Sequence, residues 1–257
     1  MTNHIPVTNT SILIRALTRP EEFDACVGLQ QVVWKYRDID VIPRRIFVVA
    51  RSIGGQVIGA YDGDRLIGFA MALPGIRNGH PYLHSQALAV EPHYRNRGIG
   101  AQLKWAQRDD ALARGIDLIE WTFDPLAIKN ANLNIEKLGA VIRRYTPDFY
   151  GVSSSPLHGS LPTDRLHAEW WLRSGRVERI HQTLPLPEYS ISVTINVTDI
   201  NKNSSDVAGV NAASVQRNAR SEFIQAFSQK LTVLRLQMNP DGSGSYKLGD
   251  WDETWGY

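Results

Sequence analysis

In the stretch "ALAVEPHYRNRGIGAQLKWAQ", residues 87–107, Arg95, Arg97, Gly98 and Gly100 sit where an apolar run passes into helix-like sequence. Those residue types at that junction suit anion binding. The first N–H groups of a helix have no helical partner, and the macrodipole favours negative charge beside them. Glycines leave out the Cβ atoms that would keep a phosphate away, and arginines add charge around it. Three phosphate-binding patterns compete for the junction. A P-loop requires Lys-Ser or Lys-Thr after its last glycine, where this chain has Ala101-Gln102. A dinucleotide fingerprint requires a third glycine, where this chain has Leu103. Arg-x-x-Gly-x-Gly, spanning residues 95–100, is the pattern that fits.

That pattern resembles the pyrophosphate loop of the GNAT family of acyl-CoA-dependent N-acyltransferases. "LAVEPHYRNRGIGAQL" matches the family's strand, loop and helix throughout, and "NANLNIEKLGA" follows about thirty residues on in the family's order. The resemblance covers residues 12–150. It implies an α/β fold with a central mixed sheet flanked by helices. It also implies acetyl-CoA or another acyl-CoA as cosubstrate, no metal, and a small-molecule amine such as an amino acid as acceptor.

By the same resemblance the pyrophosphate falls to Arg95, Asn96, Arg97, Gly98, Ile99, Gly100 and Ala101. The pantetheine arm lies along Leu88, Ala89 and Val90, and Asn130 is a hydrogen-bond partner for it. The family's strand carries a bulge whose backbone N–H faces the thioester carbonyl, which implies Leu88 as that donor. Some relatives place a glutamate four residues earlier, and here His84 stands there; its ordinary pKa near 6.5 leaves it proton-accepting at neutral pH. Glu120 and Asp124 compete for the base's role, as does a water chain, and Glu120 could equally face solvent. Many relatives have a tyrosine as the thiolate's acid where this chain has Ile135. The thiolate then leaves unassisted, or Tyr145, Tyr150 or Asn134 serves. The missing tyrosine keeps a second class of function open, a CoA-binding sensor or scaffold without catalysis. Succinyl-CoA is an alternative donor to acetyl-CoA, and a peptide amine an alternative acceptor.

Elements that would position these residues can be read from periodicity and turn chemistry. "SILIRAL" is a strand, and a helix opens at Pro20-Glu21-Glu22. A second helix lies in "IPRRIFVVARSIGG", and a hairpin turns at Asp62-Gly63-Asp64. "YLHSQALAV" is a strand, "GIGAQLKWAQRDDALARG" a helix, "IDLIEWTF" a buried strand, "AIKNANLNIEKLG" a helix and "AVIRRYTPDFYG" a strand. The asparagines Asn130, Asn132 and Asn134, spaced by two, cannot share one helix face. "RLHAEWWLRS" alternates, with Leu166, Ala168 and Trp170 on one face and Arg165, His167, Glu169 and Trp171 on the other. It either lines an acceptor pocket or is a half-buried edge strand. Pro/Ser-rich segments, "SSSPLHGSLPTD" and "LPLPEYS", flank it, and "NKNSSDVAG" is loop-like. The tail ends in a helix, "ASVQRNARSEFIQAFSQ", and a hairpin turning at Pro240-Asp241-Gly242. Residues 1–180 form the acyltransferase domain, and 181–257 an extension that completes the acceptor pocket, forms a homodimer interface or extends the sheet.

The whole chain sets outer bounds. Its 257 residues are 43% hydrophobic and 21% charged with a net charge of +2, an ordinary globular composition with no basic footprint for nucleic acid. No apolar run approaches a membrane span and no secretory leader is legible, so a cytoplasmic location is expected. The single cysteine, Cys26, excludes an internal disulfide and reads as core filler.

Overall fold

The computed structural model describes residues 11–151, 161–199 and 212–251. The described strands form one mixed sheet. A short strand β1 (Leu13–Ala16) precedes helix α1 (Pro20–Trp34), whose start is fixed by Glu22, its Oε2 accepting the Thr18 and Arg19 N–H groups at 2.8 and 3.0 Å. Those N–H groups and the Arg15 guanidinium outweigh the burial that would raise the Glu22 pKa, and bring it down to about 2. Helix α2 (Arg44–Ser52) leads into β2 (Gln56–Asp62) and β3 (Arg65–Arg77), joined by a turn in which Gly63 takes φ +57°. Then come β4 (His80–Val90), α3 (Ile99–Ala113), β5 (Leu118–Phe123), α4 (Ile128–Asn132) with a π-helical turn (Leu133–Lys137), and β6 (Val141–Thr146). The order expected from sequence is thus present.

Beyond β6 lie β7 (Arg165–Trp171), α5 (Gly175–His181), β8 (Val193–Val197), α6 (Ala212–Ser228), β9 (Thr232–Met238) and β10 (Gly244–Gly249). The spatial order is β1-β2-β3-β4-β5-β7-β6-β9-β10-β8. Neither α5 nor β8 is legible in the sequence reading, which treats that region as linker around one strand. The edge-strand reading of "RLHAEWWLRS" is corrected: β7 lies between β5 and β6, pairs with both, and every residue of it is buried. The N-terminal ten residues, most of "SSSPLHGSLPTD" and the "NKNSSDVAG" segment lie outside the described residues. No helix among the described residues is long and apolar enough to cross a membrane.

Helices α1 and α2 pack on one face of β2–β4, burying Phe23, Cys26, Phe47, Phe69, Ala87 and Ala89. On the opposite face, α3 covers Ile58, Ala60, Ile67 and Ala70 through its own Ile99 and Leu103, with Leu88 and Val90 packed alongside. A larger cluster under α4, α5 and α6 joins Phe123, Ile128, Ile135, Trp170, Phe223 and Tyr246. The β8–β10 strands and α6 therefore share a core with the elements around α4.

Candidate functional site

Two irregularities open the sheet at one place. In β4, Ser85 stands opposite Ala72 and Ala87 opposite Met71, so Gln86 is an extra, bulged residue. Parallel pairing of β4 with β5 occurs only at Leu83↔Ile119 and His84↔Glu120. Past those pairs the two strands part, leaving a wedge-shaped gap between 85–90 and 121–123. The Glu91 N–H donates to Ile67 O at 2.8 Å, so antiparallel alternation gives the Ala89 and Ala87 groups to β3 and turns the Leu88 and Val90 N–H groups into the gap. Ala89 and Ala87 in turn present their side chains to α1 and α2.

At the open end of the gap stands the loop before α3. Asn96 and Gly98 both take left-handed conformations, φ +62° and +77°, and Gly98 is the helix's N-cap. Left-handed residues interleaved with right-handed or extended ones draw successive N–H groups toward one point, a cradle for an anion. The first helical bond is Gln102 N–H to Gly98 O at 3.0 Å, so the Ile99, Gly100 and Ala101 N–H groups have no helical acceptor. A Cβ on Gly98 would meet nothing nearer than Gln102 Nε2 at 3.9 Å, so the space above it is open. Ile99 anchors the turn by burying its side chain, whereas Arg95, Asn96 and Arg97 are exposed. Arg95 Nε donates to Val90 O at 3.2 Å, and the Arg97 guanidinium lies 5.2 Å from the Tyr94 ring centroid.

The α1-facing side of the closed end carries a polar layer. His84 and Glu120 are paired neighbours there. Glu120 is buried, not solvent-facing, and forms ion pairs with Arg77 and with Arg144, the latter at 3.4 Å. Arg144 also lies 2.9 Å from His167 Nδ1, whose Nε2 is 2.8 Å from Thr146 Oγ1. Burial, then Arg144, His84 and Arg77, push the His167 pKa down to about 3. His84 is lowered too, by burial and the charges of Lys104 and Arg144, which leaves a neutral imidazole at pH 7. Glu169 is tied to Arg143 and to Trp171 Nε1. Thr122 Oγ1 lies 2.9 Å from the Tyr150 hydroxyl. The Arg165 guanidinium sits 5.4 Å from the Tyr150 ring, and the Tyr36 hydroxyl, whose pKa burial raises, lies within electrostatic reach of both.

The remaining sequence candidates fall elsewhere. Asp124 shapes the turn after β5, its Oδ1 accepting the Leu126 N–H at 2.8 Å. Asn130 is exposed on α4, and Asn134 is buried in the π-helical turn with its Nδ2 unpartnered. Tyr145 is buried on the opposite face and bonded to Asp164, away from the gap; Tyr150 is the tyrosine beside it. Ile135 is wholly buried in the core, so its side chain supplies no proton.

Sequence reasoning passed over Lys104. Its amine is buried on the α3 side of the same closed end, 3.0 Å from Ser85 Oγ and 3.6 Å from the Trp121 ring centroid, and that burial lowers its pKa well below the usual lysine range. The signal was present: positions 100, 104, 107 and 111 have the spacing of a core-facing helical stripe.

Residues 24–138 match the model of the acetyltransferase (GNAT) family. The chain carries a GNAT acetyltransferase domain. Solved structures of similar fold include a protein assigned to the GNAT family from Desulfovibrio desulfuricans, with TM-score 0.52 and 14% identity over 63% of this chain and 99% of that one. The ribosomal-protein-S18-alanine N-acetyltransferase of Escherichia coli gives 0.51 and 14% over 64% and 96%. YncA from Salmonella typhimurium, solved with its cofactor acetyl-CoA, gives 0.52 and 15% over 64% and 95%. At these identities the likeness is one of fold. No curated protein matches the chain. The GNAT match ends at Leu138, so β7, with Arg165 and His167, and everything after it lies beyond the matched residues.

Proposed function

We propose that the protein is an acyl-CoA-dependent N-acyltransferase whose acceptor is a small-molecule amine such as an amino acid. The observation that carries this reading is the alignment of three features along one gap. An anion cradle stands at its mouth, unpaired strand N–H groups run along its edge, and a neutral histidine lies at its closed end. The donor's pyrophosphate would lie against the N–H groups of residues 98–101, with Arg95 and Arg97 nearby. Its pantetheine arm would complete the hydrogen bonding of the Leu88 and Val90 edge that β5 leaves open. The Leu88 N–H would polarise the thioester carbonyl.

On the other side of the gap the acceptor amine would approach beside His84. His84 takes the amine's proton, the nitrogen lone pair forms the new C–N bond, and the C–S bond breaks. Tyr150, whose hydroxyl lies 2.9 Å from Thr122 Oγ1, would return a proton to sulfur. Glu120 is a positioning residue in this scheme, since two guanidinium groups occupy its oxygens. An acceptor carboxylate would suit the arginine-rich wall formed by Arg144 and Arg165, which favours an amino acid over a simple amine.

Calorimetry with acetyl-CoA and succinyl-CoA, on wild type beside Gly98→Trp, tests the donor site. A free-thiol assay over a panel of amino acids and amines tests transfer. Binding lost in the variant and thiol release with one amine class are expected. Tight binding without turnover on any amine would instead favour a CoA-binding sensor, the reading that Ile135 in place of the usual tyrosine supports.

A further inference from the structure

On the acceptor's side of the gap, Arg77 and Arg144 share Glu120 and Arg143 holds Glu169, whereas Arg165 forms no ion pair among the described residues. Arg165 is 8% exposed, and arginine buried to that degree is almost always paired. A guanidinium cannot shed its proton to escape the cost. Its Nη1 donates to Asp164 O at 3.0 Å. Nε and Nη2 bond to nothing among the described residues, yet neither is sealed from solvent. The neighbouring acids are engaged elsewhere, Asp164 by Arg220 and Tyr145, and Asp148 by the Thr163 N–H. Two parallel donors, the pair that takes a carboxylate side-on, therefore stand open.

Register relates those donors to the reacting atoms. His84, Glu120 and Glu169 form one row across β4, β5 and β7. Leu88 lies four residues on from that row along β4, and Arg165 four residues on in the same direction along β7, which runs antiparallel to β5. The two stand about level, roughly 13 Å from the row, less the bulge at Gln86. Arg144, opposite His167, falls two residues short of that level. A carboxylate on Arg165 thus suits an amine borne on the adjacent carbon and facing the Leu88 N–H.

The surround of that corner is aromatic. Phe149 and Tyr150 meet edge to face with centroids 4.6 Å apart, Phe149 lies edge-on to the His167 ring at 5.3 Å, and both residues are about half exposed. Neutral at pH 7, His167 adds a ring there and no charge. Tyr150 lies 5.4 Å from the Arg165 guanidinium and ties the corner to β5 through Thr122. A second carboxylate, on a side chain, would meet these rings, since Arg144 is engaged with Glu120 and His167.

Resting on the acyltransferase reading, we infer that Arg165 selects the acceptor, and that this acceptor is an α-amino acid with an apolar aromatic side chain, its carboxylate on Arg165 Nε and Nη2 and its ring against Phe149. Simple amines and peptide N-termini lack the carboxylate, and acidic amino acids place a charge against the rings.

The test is the free-thiol assay on the full chain with acetyl-CoA and with succinyl-CoA. Its acceptors are phenylalanine, alanine and glutamate, each as both enantiomers, and phenethylamine, which is phenylalanine without the carboxylate. Wild type should use phenylalanine with kcat/KM about 10- to 100-fold above phenethylamine, the worth of a charge-assisted pair. It should favour phenylalanine over alanine and glutamate at least about tenfold, through the buried ring. Arg165→Gln, its fold checked by CoA calorimetry, should bring phenylalanine and phenethylamine within about threefold, the loss falling mainly on KM, and Arg165→Lys should restore part of the preference. Phe149→Ala should cut the preference over alanine at least about threefold. Should Arg165→Gln not fold, the wild-type comparison still decides. Phenethylamine used as well as phenylalanine, or a preference unchanged in folded Arg165→Gln, would overturn the assignment to Arg165. Alanine or glutamate used as well as phenylalanine would overturn the aromatic side chain. Either result, or thiol release with another amine and none of these four, leaves the acyltransferase reading in place. CoA binding with no release across the wider amine panel would overturn both.

Discussion

Gly98→Ala separates two consequences of one backbone conformation. Gly98 has φ +77° at the N-cap of α3, and an added Cβ meets only Gln102 Nε2 at 3.9 Å, so the strain is in the backbone and not in packing. An L-residue held there costs about 1 kcal/mol. In a chain of this size that lowers Tm by about 2–4 °C. The methyl group also enters the open space over the N–H groups of the first turn, where a pyrophosphate oxygen would sit. Losing one charge-assisted hydrogen bond costs about 1.5–3 kcal/mol, or roughly 10- to 100-fold in the Kd for CoA.

Gly115→Ala is the matched control. Gly115 has φ +72° just past the C-terminus of α3, an added Cβ there would meet nothing within 4 Å, and the residue lies at the other end of that helix from Gly98. Its thermal cost should equal that of Gly98→Ala, and its effect on CoA binding should be nil. Differential scanning calorimetry gives the first quantity and isothermal titration with CoA the second. Equal CoA affinities for the two variants would refute the cradle, because the same strain would then have produced no difference at the site.

His84→Ala should lower kcat/KM by about 10²–10⁴-fold, and the wild-type rate should fall only at pH values below the ordinary histidine range, since burial, Lys104 and Arg144 lower its pKa. A wild-type acid limb at or above pH 6.5 would assign the base elsewhere. His167, held down to about 3, makes folding pH-dependent. Below about pH 6.5 the unfolded chain takes a proton that the native one refuses, so stability should fall by up to about 1.4 kcal/mol per pH unit between 6.5 and 3. Urea denaturation at pH 7.5 and 5 reads that slope, which His167→Gln should flatten. Asp164 is wholly buried, accepts from Arg220 at 2.7 and 2.8 Å and from the Asp148 N–H at 3.0 Å, and joins β7 to α6. Asp164→Ala should cost about 3 kcal/mol in the same assay, and an unchanged midpoint would show that α6 does not lean on this pair.

What the sequence disclosed was what local chemistry determines. The loop before α3 is legible because its conformation needs glycine at a fixed position beside arginines. The Asp62-Gly63-Asp64 and Pro240-Asp241-Gly242 turns are legible because each ends or opens a regular run. Strand β7 was misplaced for a physical reason: alternation of Arg165, His167 and Glu169 with apolar residues looks like a solvent-facing side. In the fold those polar groups are buried against partners from β6, with Arg143 on Glu169 and Arg144 on His167. Pairing between distant strands is invisible to periodicity. Helix α5 is not legible because it is only about two turns long, and its Ser174 cap, accepting the Val177 N–H at 3.3 Å, is preceded by strand while prolines follow the helix. Lys104 was missed because lysine on a helix reads as solvated, whatever stripe it occupies.

Beyond the GNAT match, Arg144, Tyr150 and Arg165 stand at the cleft itself, whereas α5, β9 and β10 reach it through α4. The Tyr246 hydroxyl donates to Pro125 O at 2.6 Å, in the turn that carries β5 away from β4. Ile128, the first residue of α4, packs on Gly244, where a Cβ would come within 2.8 Å of it, so β10 needs a glycine there to let the helix approach. Glu136, in the π-helical turn, takes the Leu236 N–H at 2.7 Å and pairs with Arg235. From the other end Arg176 of α5 donates to the carbonyls of Ile135 and Gly139, each at 3.0 Å, satisfying acceptors that the turn's irregular bonding leaves open. Leu133 in that turn lies beside Gly100, in the first turn of α3. A chain of contacts thus runs from β10 and α5 through α4 to the anion cradle. Through those contacts the tail packs α4 and its π-helical turn against the first turn of α3.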